Sequence, residues 1–367
     1  MYDLLVVGSG LYGSTFAYEA NKAGKKCLVI DKRPQLGGNV FCKQVEGIQV
    51  HQYGAHIFHT NDKKIWDFVN QFVPFKPFIN SPIASYYGTK FNLPFNLNTF
   101  KQLWGIETEQ QAKEKIEQVT APFKNNNPSN LKEQALSLVG EEIYEKIIKH
   151  YSEKQWGKSC EELPAFLIKR IPLRFTSNNN YFNDTYQGIP VGGYNKLING
   201  LLAGIDTVTN VDFLENISDW KNKAAKVLYT GKIDAYFNYQ LGMLEYRSLR
   251  FNEKVYLNTE DFQGNAVFNY TSPEVDYTRV IEHKHFEQTP SKHTVVSFEY
   301  PQPYQKGGEA FYPVNDEKNI ALFQKYKQLG NLQPDLIFGG RLAEYKYYDM
   351  HQVIAAALTK SKQYLNG

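Results

Sequence analysis

Gly8-Ser9-Gly10-Leu11-Tyr12-Gly13 and Asp31 are the residues of this chain with the plainest chemical use. A G-x-G-x-x-G spacing suits a pyrophosphate. One glycine makes the tight turn, one lets the backbone approach the anion, and one packs a helix closely on a strand. An acid about twenty residues on is placed to accept hydrogen bonds from a ribose hydroxyl. A second group is basic: only seven of the 41 basic residues are arginine, namely Arg33, Arg170, Arg174, Arg247, Arg250, Arg279 and Arg341. Where lysine supplies the general surface charge, a few arginines are candidates for bidentate phosphate or carboxylate recognition, although biased codon usage predicts the same scarcity. A third group is His51, His56 and His59, set around Gly54-Ala55. No acidic or cysteine ligands accompany these histidines, so the expectation is a loop against a ligand, with His56 and His59 facing it, and no metal. There is no Ser/His/Asp or Cys/His arrangement for a protein nucleophile.

Elements must hold these groups in place. Asp3 to Val7 is an apolar run that reads as a buried strand leading into the glycines. A helix from Ser14 to Ala23 follows, and a second strand, Cys27 to Ile30, ends on Asp31. This is a nucleotide-binding βαβ start, with the helix N-terminus turned to the phosphates. Lys32 to Asn39, with a basic residue shortly before Gly37-Gly38, resembles the second fingerprint of glutathione-reductase-type FAD proteins. FAD is therefore the expected cofactor. Asn61-Asp62 caps a helix through Val69, and Ser85 to Leu93 reads as a hairpin turning at Gly88. Residues 99–151 are helical, with a break at 125–130. Pro164 and Pro172 bound a short segment carrying Arg170, with Arg174 just beyond, which is what a phosphate-gripping lid needs. Strands are expected at Thr207–Val211 and Val227–Gly231, the first placing its end near the adenine. Antiparallel strands are expected between 244 and 300. A strand then runs into Gly339-Gly340-Arg341, and Asp349 caps a helix from Met350. That helix N-terminus, aimed at the flavin, would favour a reduced, anionic form.

The expected fold is α/β: a Rossmann-like FAD-binding domain (1–75, 188–243, 319–367), an inserted helical domain (99–162) and an antiparallel substrate sheet (76–98, 163–187, 244–318), with a mobile lid near 163–175. The chain has 367 residues and a formal charge of +3. That balance implies neither nucleic acid nor membrane as a partner. Cys27, Cys42 and Cys160 are too few and dispersed for a disulfide framework. With no apolar run long enough to span a bilayer and no signal segment at the start, a cytoplasmic protein is expected.

Six further segments carry a more specific resemblance: Tyr53 to Thr60, Glu153 to Gly157, Asn179 to Phe182, Gln187 to Tyr194, Glu282 to Phe286 and Phe338 to His351. Through them the chain resembles the bacterial UDP-galactopyranose mutases along essentially its whole length. The resemblance implies exchange of UDP-galactopyranose and UDP-galactofuranose, for cell-surface polysaccharide. Reduced FAD would be used without net redox change, its N5 attacking the anomeric carbon while UDP leaves. It implies a substrate cleft of Asn80, Ser152, Trp156, Tyr181 and Glu299, and diphosphate contacts from Arg170, Arg279, Tyr312 and Tyr347. Beyond the fingerprint residues Gly8, Gly10, Gly13, Asp31, Lys32, Gly38 and Asn39, it implies cofactor contacts from Tyr12, His56, Ile57, Val211, Asp212, Arg341, Tyr348, Asp349 and Met350. Arg170, Arg279, His59 and Asp349 are the implied catalytic set. Asp31 stands where the family often has Glu, a change the ribose contact tolerates. The expected partners are UDP-galactose in both ring forms, a transient reductant such as NAD(P)H, and a second copy of the chain. Two other readings share parts of this pattern. An amine-oxidase-like flavin oxidoreductase would consume oxidant or reductant in proportion to product, and a nucleotide-binding scaffold would hold FAD without turnover.

Overall fold

Apolar runs flanked by helices build the first sheet. The computed structural model describes residues 1–367, except the side chains of Lys169 and Arg170, so the expected lid arginine lies outside the described residues. Five parallel strands stand in the order Asp206–Val208, Cys27–Ile30, Tyr2–Val7, Ala224–Tyr229 and Leu336–Phe338. Leu4, Leu5, Val6, Val29 and Ile30 are wholly buried, as strands covered on both faces must be. The helix Leu11–Lys22 starts three residues earlier than its apolar pattern suggests, because Gly10 already has extended N-cap geometry. It packs on the helix Met350–Asn366, with Phe16 and Tyr364 rings 5.6 Å apart. The strand expected at Thr207–Val211 stops at Val208, and Asn210 turns with positive φ.

A second sheet of seven strands runs in the order Tyr312–Pro313, Tyr246–Tyr256, Thr294–Pro303, Arg279–Glu282, Val267–Tyr270, Ile83–Tyr86 and Thr89–Asn92. It is not purely antiparallel as expected, because Val267–Tyr270 and Ile83–Tyr86 run parallel. The chain between those two strands is long enough for the crossover that a parallel pair requires. A small three-stranded sheet, Phe58–Thr60, Tyr186–Pro190 and Phe75–Pro77, stands apart from both. Residues 178–182, expected to be extended, form no strand, and the next begins at Tyr186.

The helical stretch divides into Leu97–Trp104, Glu109–Thr120 and Leu131–Ile143. Asn96 with Thr99 and Thr108 with Gln111 form capping boxes at the first two, satisfying amides that have no partner inside the helix. A π-helical turn, Tyr144–Lys149, then re-aims the chain into the helix His150–Trp156, which lies against the seven-stranded sheet. Among the described residues no helix is long and apolar enough to cross a membrane.

Candidate active site

The turn after the first strand is shaped by what a side chain would hit. A Cβ at Gly8, whose φ is +104°, would stand 2.1 Å from Thr230 Oγ1, and one at Gly13 would stand 2.0 Å from the Gly8 carbonyl. Asp31 braces this turn. Its Oδ2 accepts from the Ser9 amide (2.8 Å) and hydroxyl (2.5 Å), and its Oδ1 accepts from the Arg33 amide (2.9 Å). Ser9 Oγ in turn accepts from the Gly37 amide at 3.0 Å. The acid expected to serve a ribose alone therefore also ties the two glycine turns together, with a lone pair left on Oδ1.

A cavity of about 370 Å³ runs along these turns. Gly8, Gly10, Tyr12, Gly13, Asp31, Lys32, Gly38, Asn39, His56, Val211, Asp212, Arg341 and Met350 line it. Ile57, Tyr348 and Asp349, expected on this wall, are not among the residues that line it. Ile57 turns into an apolar cluster with Ile189 and Phe286. The Tyr348 carbonyl accepts from Arg341 Nη2 at 2.5 Å. Asp349 forms a capping box with Gln352 on the last helix, as its N-cap chemistry predicts. Arg33, one of the candidate arginines, lines it too, and so do walls the sequence reading missed: Thr230, Lys232 and the segment 307–309. The Gly307-Gly308 pair was the available signal. Glu309 in that segment pairs with Lys32 (2.9 Å) and Arg33 (2.6 Å), and Arg33 lies 4.1 Å from the Tyr53 ring centre. One Arg33 nitrogen, Nη1, is buried with no protein partner. A cavity with side-chain-free turns and a buried guanidinium nitrogen that no protein group accepts from fits a dinucleotide carrying a pyrophosphate.

The histidines separate. His51 is buried and stacks on Phe286 at 4.5 Å, its Nδ1 accepting from the His56 amide at 3.1 Å. The His51 amide donates to His283 Nδ1 at 3.2 Å, and His283 Nε2 is 2.8 Å from Ser297 Oγ. His51 Nδ1 and both His283 nitrogens are committed to backbone and hydroxyl groups, while His51 Nε2 is buried without a protein partner. His56 Nδ1 lies 2.7 Å from the Gly54 carbonyl, so it carries the proton there and leaves Nε2 an acceptor. Burial, with Arg341 and Arg279 nearby, pulls His56 down to about 4 and keeps it neutral. His59, expected to face the cavity, is not on its wall. Its Nδ1 is 2.6 Å from Asp184 Oδ2 and its ring stacks on Phe182 at 3.8 Å, so it holds the loop next to Tyr181.

Beyond His56 the seven-stranded sheet presents a row of directly opposed residues: Asn269, Arg279, Glu299 and Phe251. Arg279 donates from Nε and Nη2 to the same Glu299 oxygen, at 3.0 and 2.7 Å. Glu299 is wholly buried, so its first task is to orient Arg279 and not to touch a ligand. Its second oxygen, and Asn269 Oδ1 beside Arg279, are buried without partners. Asn269 was missed because only the strand register brings it to Arg279. Tyr312 stacks on Tyr347 (centroids 5.5 Å apart, planes 14°), with Trp156 6.5 Å from Tyr312. The Arg341 guanidinium lies 5.9 and 5.6 Å from the Tyr312 and Tyr347 rings. Burial pushes the Tyr312 hydroxyl up to about 12, so it remains a donor at neutral pH. Ser152 is buried on the helix that carries Trp156, and the carbonyl of buried Asn80 accepts from the Tyr181 amide at 2.8 Å.

Two other arginines leave the site. Arg174, expected on the lid, donates to the carbonyls of Asn178, Asn180 and Phe182 and to Asn183 Oδ1. Buried Arg247 donates to the Gln155 and Lys154 carbonyls at 2.9 and 3.3 Å, capping the C-terminus of the Trp156 helix. A second cavity, about 260 Å³, opens beside Trp156 and Tyr347 under Phe166 and Leu167.

Residues 146–347 match the family profile described as UDP-galactopyranose mutase, and residues 6–72 match that of an NAD(P)-binding Rossmann-like domain. The chain is 35% identical to a probable UDP-galactopyranose mutase of Klebsiella pneumoniae, over 99% of this chain and 95% of that protein. It is also 35% identical to a dTDP-fucopyranose mutase of Escherichia coli, over 100% and 99% of the two chains. Among solved structures it superposes on a reduced UDP-galactopyranose mutase with a TM-score of 0.75 at 12% identity, covering 100% and 96% of the two chains. A putrescine oxidase shares the fold at a TM-score of 0.58 and 11% identity, covering 100% and 99%.

Proposed function

The chain belongs to the UDP-galactopyranose mutase family, and from that premise we propose that it interconverts UDP-galactopyranose and UDP-galactofuranose with reduced FAD in the dinucleotide cavity. The observation that carries this reading is the junction at His56 and Arg341. Both residues line the dinucleotide cavity, Arg341 lies beside the Tyr312 and Tyr347 rings, and Arg279 lies close enough to act on His56. Reduced FAD supplies the nucleophile for the anomeric carbon. The Gly8–Gly13 turn, Asp31, Lys32, Arg33 and Arg341 hold it, and the helix beginning at Met350 favours negative charge at its end of the cavity. Arg279, Tyr312 and Tyr347 take the diphosphate, where charge develops as the sugar leaves. Arg170 joins them from the lid, a role resting on the family resemblance alone. Asn80, Ser152, Trp156, Tyr181 and Asn269 hold the nucleoside and sugar. Glu299, His59 and Asp349 act by fixing Arg279, the Tyr181 loop and the last helix, and neutral His56 offers Nε2 to a hydroxyl proton.

Protein reduced with dithionite should convert UDP-galactofuranose to UDP-galactopyranose, followed by chromatography of the nucleotide sugars. Oxidised protein should be inactive and recover on reduction by dithionite or NAD(P)H, without nicotinamide consumed per turnover. Stoichiometric nicotinamide oxidation would replace the mutase by an oxidoreductase. One observation favours a second substrate: the dTDP-fucopyranose mutase relative matches this chain at the same identity. dTDP-fucopyranose therefore belongs in a parallel arm, and faster turnover of it would reassign the sugar and base while keeping the chemistry. We place the enzyme in the cytoplasm as a homodimer, which sedimentation tests.

A further inference from the structure

The segment Glu153-Lys154-Gln155-Trp156-Gly157 contributes only Trp156 to the cleft, yet each neighbour makes a specific contact. Gly157 adopts φ +68°, and a Cβ there would stand 2.7 Å from Arg247 Nη1, so its bareness admits the guanidinium that caps the helix. Gln155 Oε1 accepts from Thr278 Oγ1 at 3.1 Å. Lys154 Nζ, with three N–H donors, lies within hydrogen-bond distance of four backbone carbonyls: Tyr270 at 3.0 Å, Ser272 at 2.9 Å, Val275 at 3.0 Å and Tyr277 at 3.2 Å. Tyr270 ends the strand Val267–Tyr270, and the other three lie in the turn that joins it to Arg279–Glu282. Asn269 stands just before that turn and Arg279 just after it.

We propose that Lys154 is a positioning residue of the substrate site: its ammonium, enclosed by these four carbonyls, locks the helix carrying Ser152 and Trp156 to the turn that delivers Arg279 and Asn269. The two walls of the cleft come from segments far apart in the chain, and nothing in either strand pairing sets their separation. A compact cation satisfies carbonyls converging from several directions, whereas a planar guanidinium directs its donors outward in one plane. The contacts are part-buried, and the carbonyls lose this donor when the cation goes.

This inference rests on the proposed nucleotide-sugar cleft for its consequence, but not for the lock itself, and two readouts keep these apart. The first is UDP binding to FAD-loaded protein by calorimetry. The second is amide hydrogen exchange of residues 150–157 and 271–278. Lys154→Met should keep its FAD, weaken UDP binding about tenfold, and speed exchange in both segments, with kcat/KM falling more than kcat. Lys154→Ala should recover affinity and protection when propylammonium is added, but not with tetramethylammonium, which has the charge and no N–H donors. Wild-type affinity and protection in Lys154→Met, or a Lys154→Ala defect untouched by propylammonium, would overturn the proposal. If Lys154→Ala does not accumulate with FAD, Lys154→Arg carries the test. A loss of similar size is expected despite the retained charge, and unchanged affinity overturns it. Wild-type protein that fails to bind UDP would remove the proposed substrate, while the exchange readout still decides the lock.

Discussion

Removing the Arg279 guanidinium would do two things at once. It would take a cation from the diphosphate, and it would leave the wholly buried Glu299 carboxylate without its partner. Arg279→Ala should therefore weaken UDP binding by about 2–5 kcal/mol and also lower the melting temperature. Pairing it with Glu299→Gln should restore part of the stability and none of the binding. Calorimetry with UDP and thermal unfolding separate the two effects, and full stability in the single variant would mean that Glu299 is not held by Arg279. Residue type alone did not sort the arginines. Their scarcity marked them as a group, yet Arg279 and Arg341 reached the cleft while Arg174 and Arg247 were taken by backbone carbonyls. What decided each was the acceptors that distant segments brought to it, which no local spacing records. The same holds for Asp31, whose place was legible while its second task at Ser9 was not.

At the scale of elements, the strand–turn–helix start was the most legible part, because three glycines in register leave few alternatives. Gly8→Ala puts a methyl group 2.1 Å from Thr230 Oγ1 at a positive φ, on a turn where the neighbouring strand cannot withdraw. The expected product is folded protein isolated without yellow colour, so a normal flavin spectrum would show that the turn adapts. The helix His150–Trp156 was harder to read. Its charged residues resemble a solvated face, yet one of them faces inward and its C-terminus rests on Arg247. Arg247→Ala, which its absence from the sequence-derived site suggested would be mild, should cost about 1–3 kcal/mol of stability. It should also weaken UDP binding by tilting Trp156. Urea unfolding beside a UDP titration measures both, and a change in neither would mean the helix end is held by other contacts. The parallel pair inside the second sheet was not legible at all, since alternation reports a half-buried strand and not the direction of its neighbour.

For the molecule as a whole, pH should act through histidines that are buried without charge. Burial holds His51 well below its ordinary range, His56 at about 4 and His283 at about 3. The unfolded chain takes up these protons near pH 6.5 and the folded chain does not, so stability rises with pH between about 4 and 6.5. His285, raised by Glu282, works in the opposite sense and offsets part of this. Going from about pH 7.5 to about pH 5.5 should therefore cost about 2–4 kcal/mol, read from urea midpoints at the two pH values. Equal midpoints would mean that these rings stay hydrated or titrate normally. The layout of the first sheet has one more result. Its central strand is Tyr2–Val7, but its edge strand is Leu336–Phe338, and Arg341 and Met350 beyond that strand line the dinucleotide cavity. The fingerprint and the residues that complete its cavity thus lie far apart in the sequence and meet only through the sheet. A fragment lacking residues 336–367 should carry every glycine of the motif and retain no flavin, which its visible absorbance after purification would show.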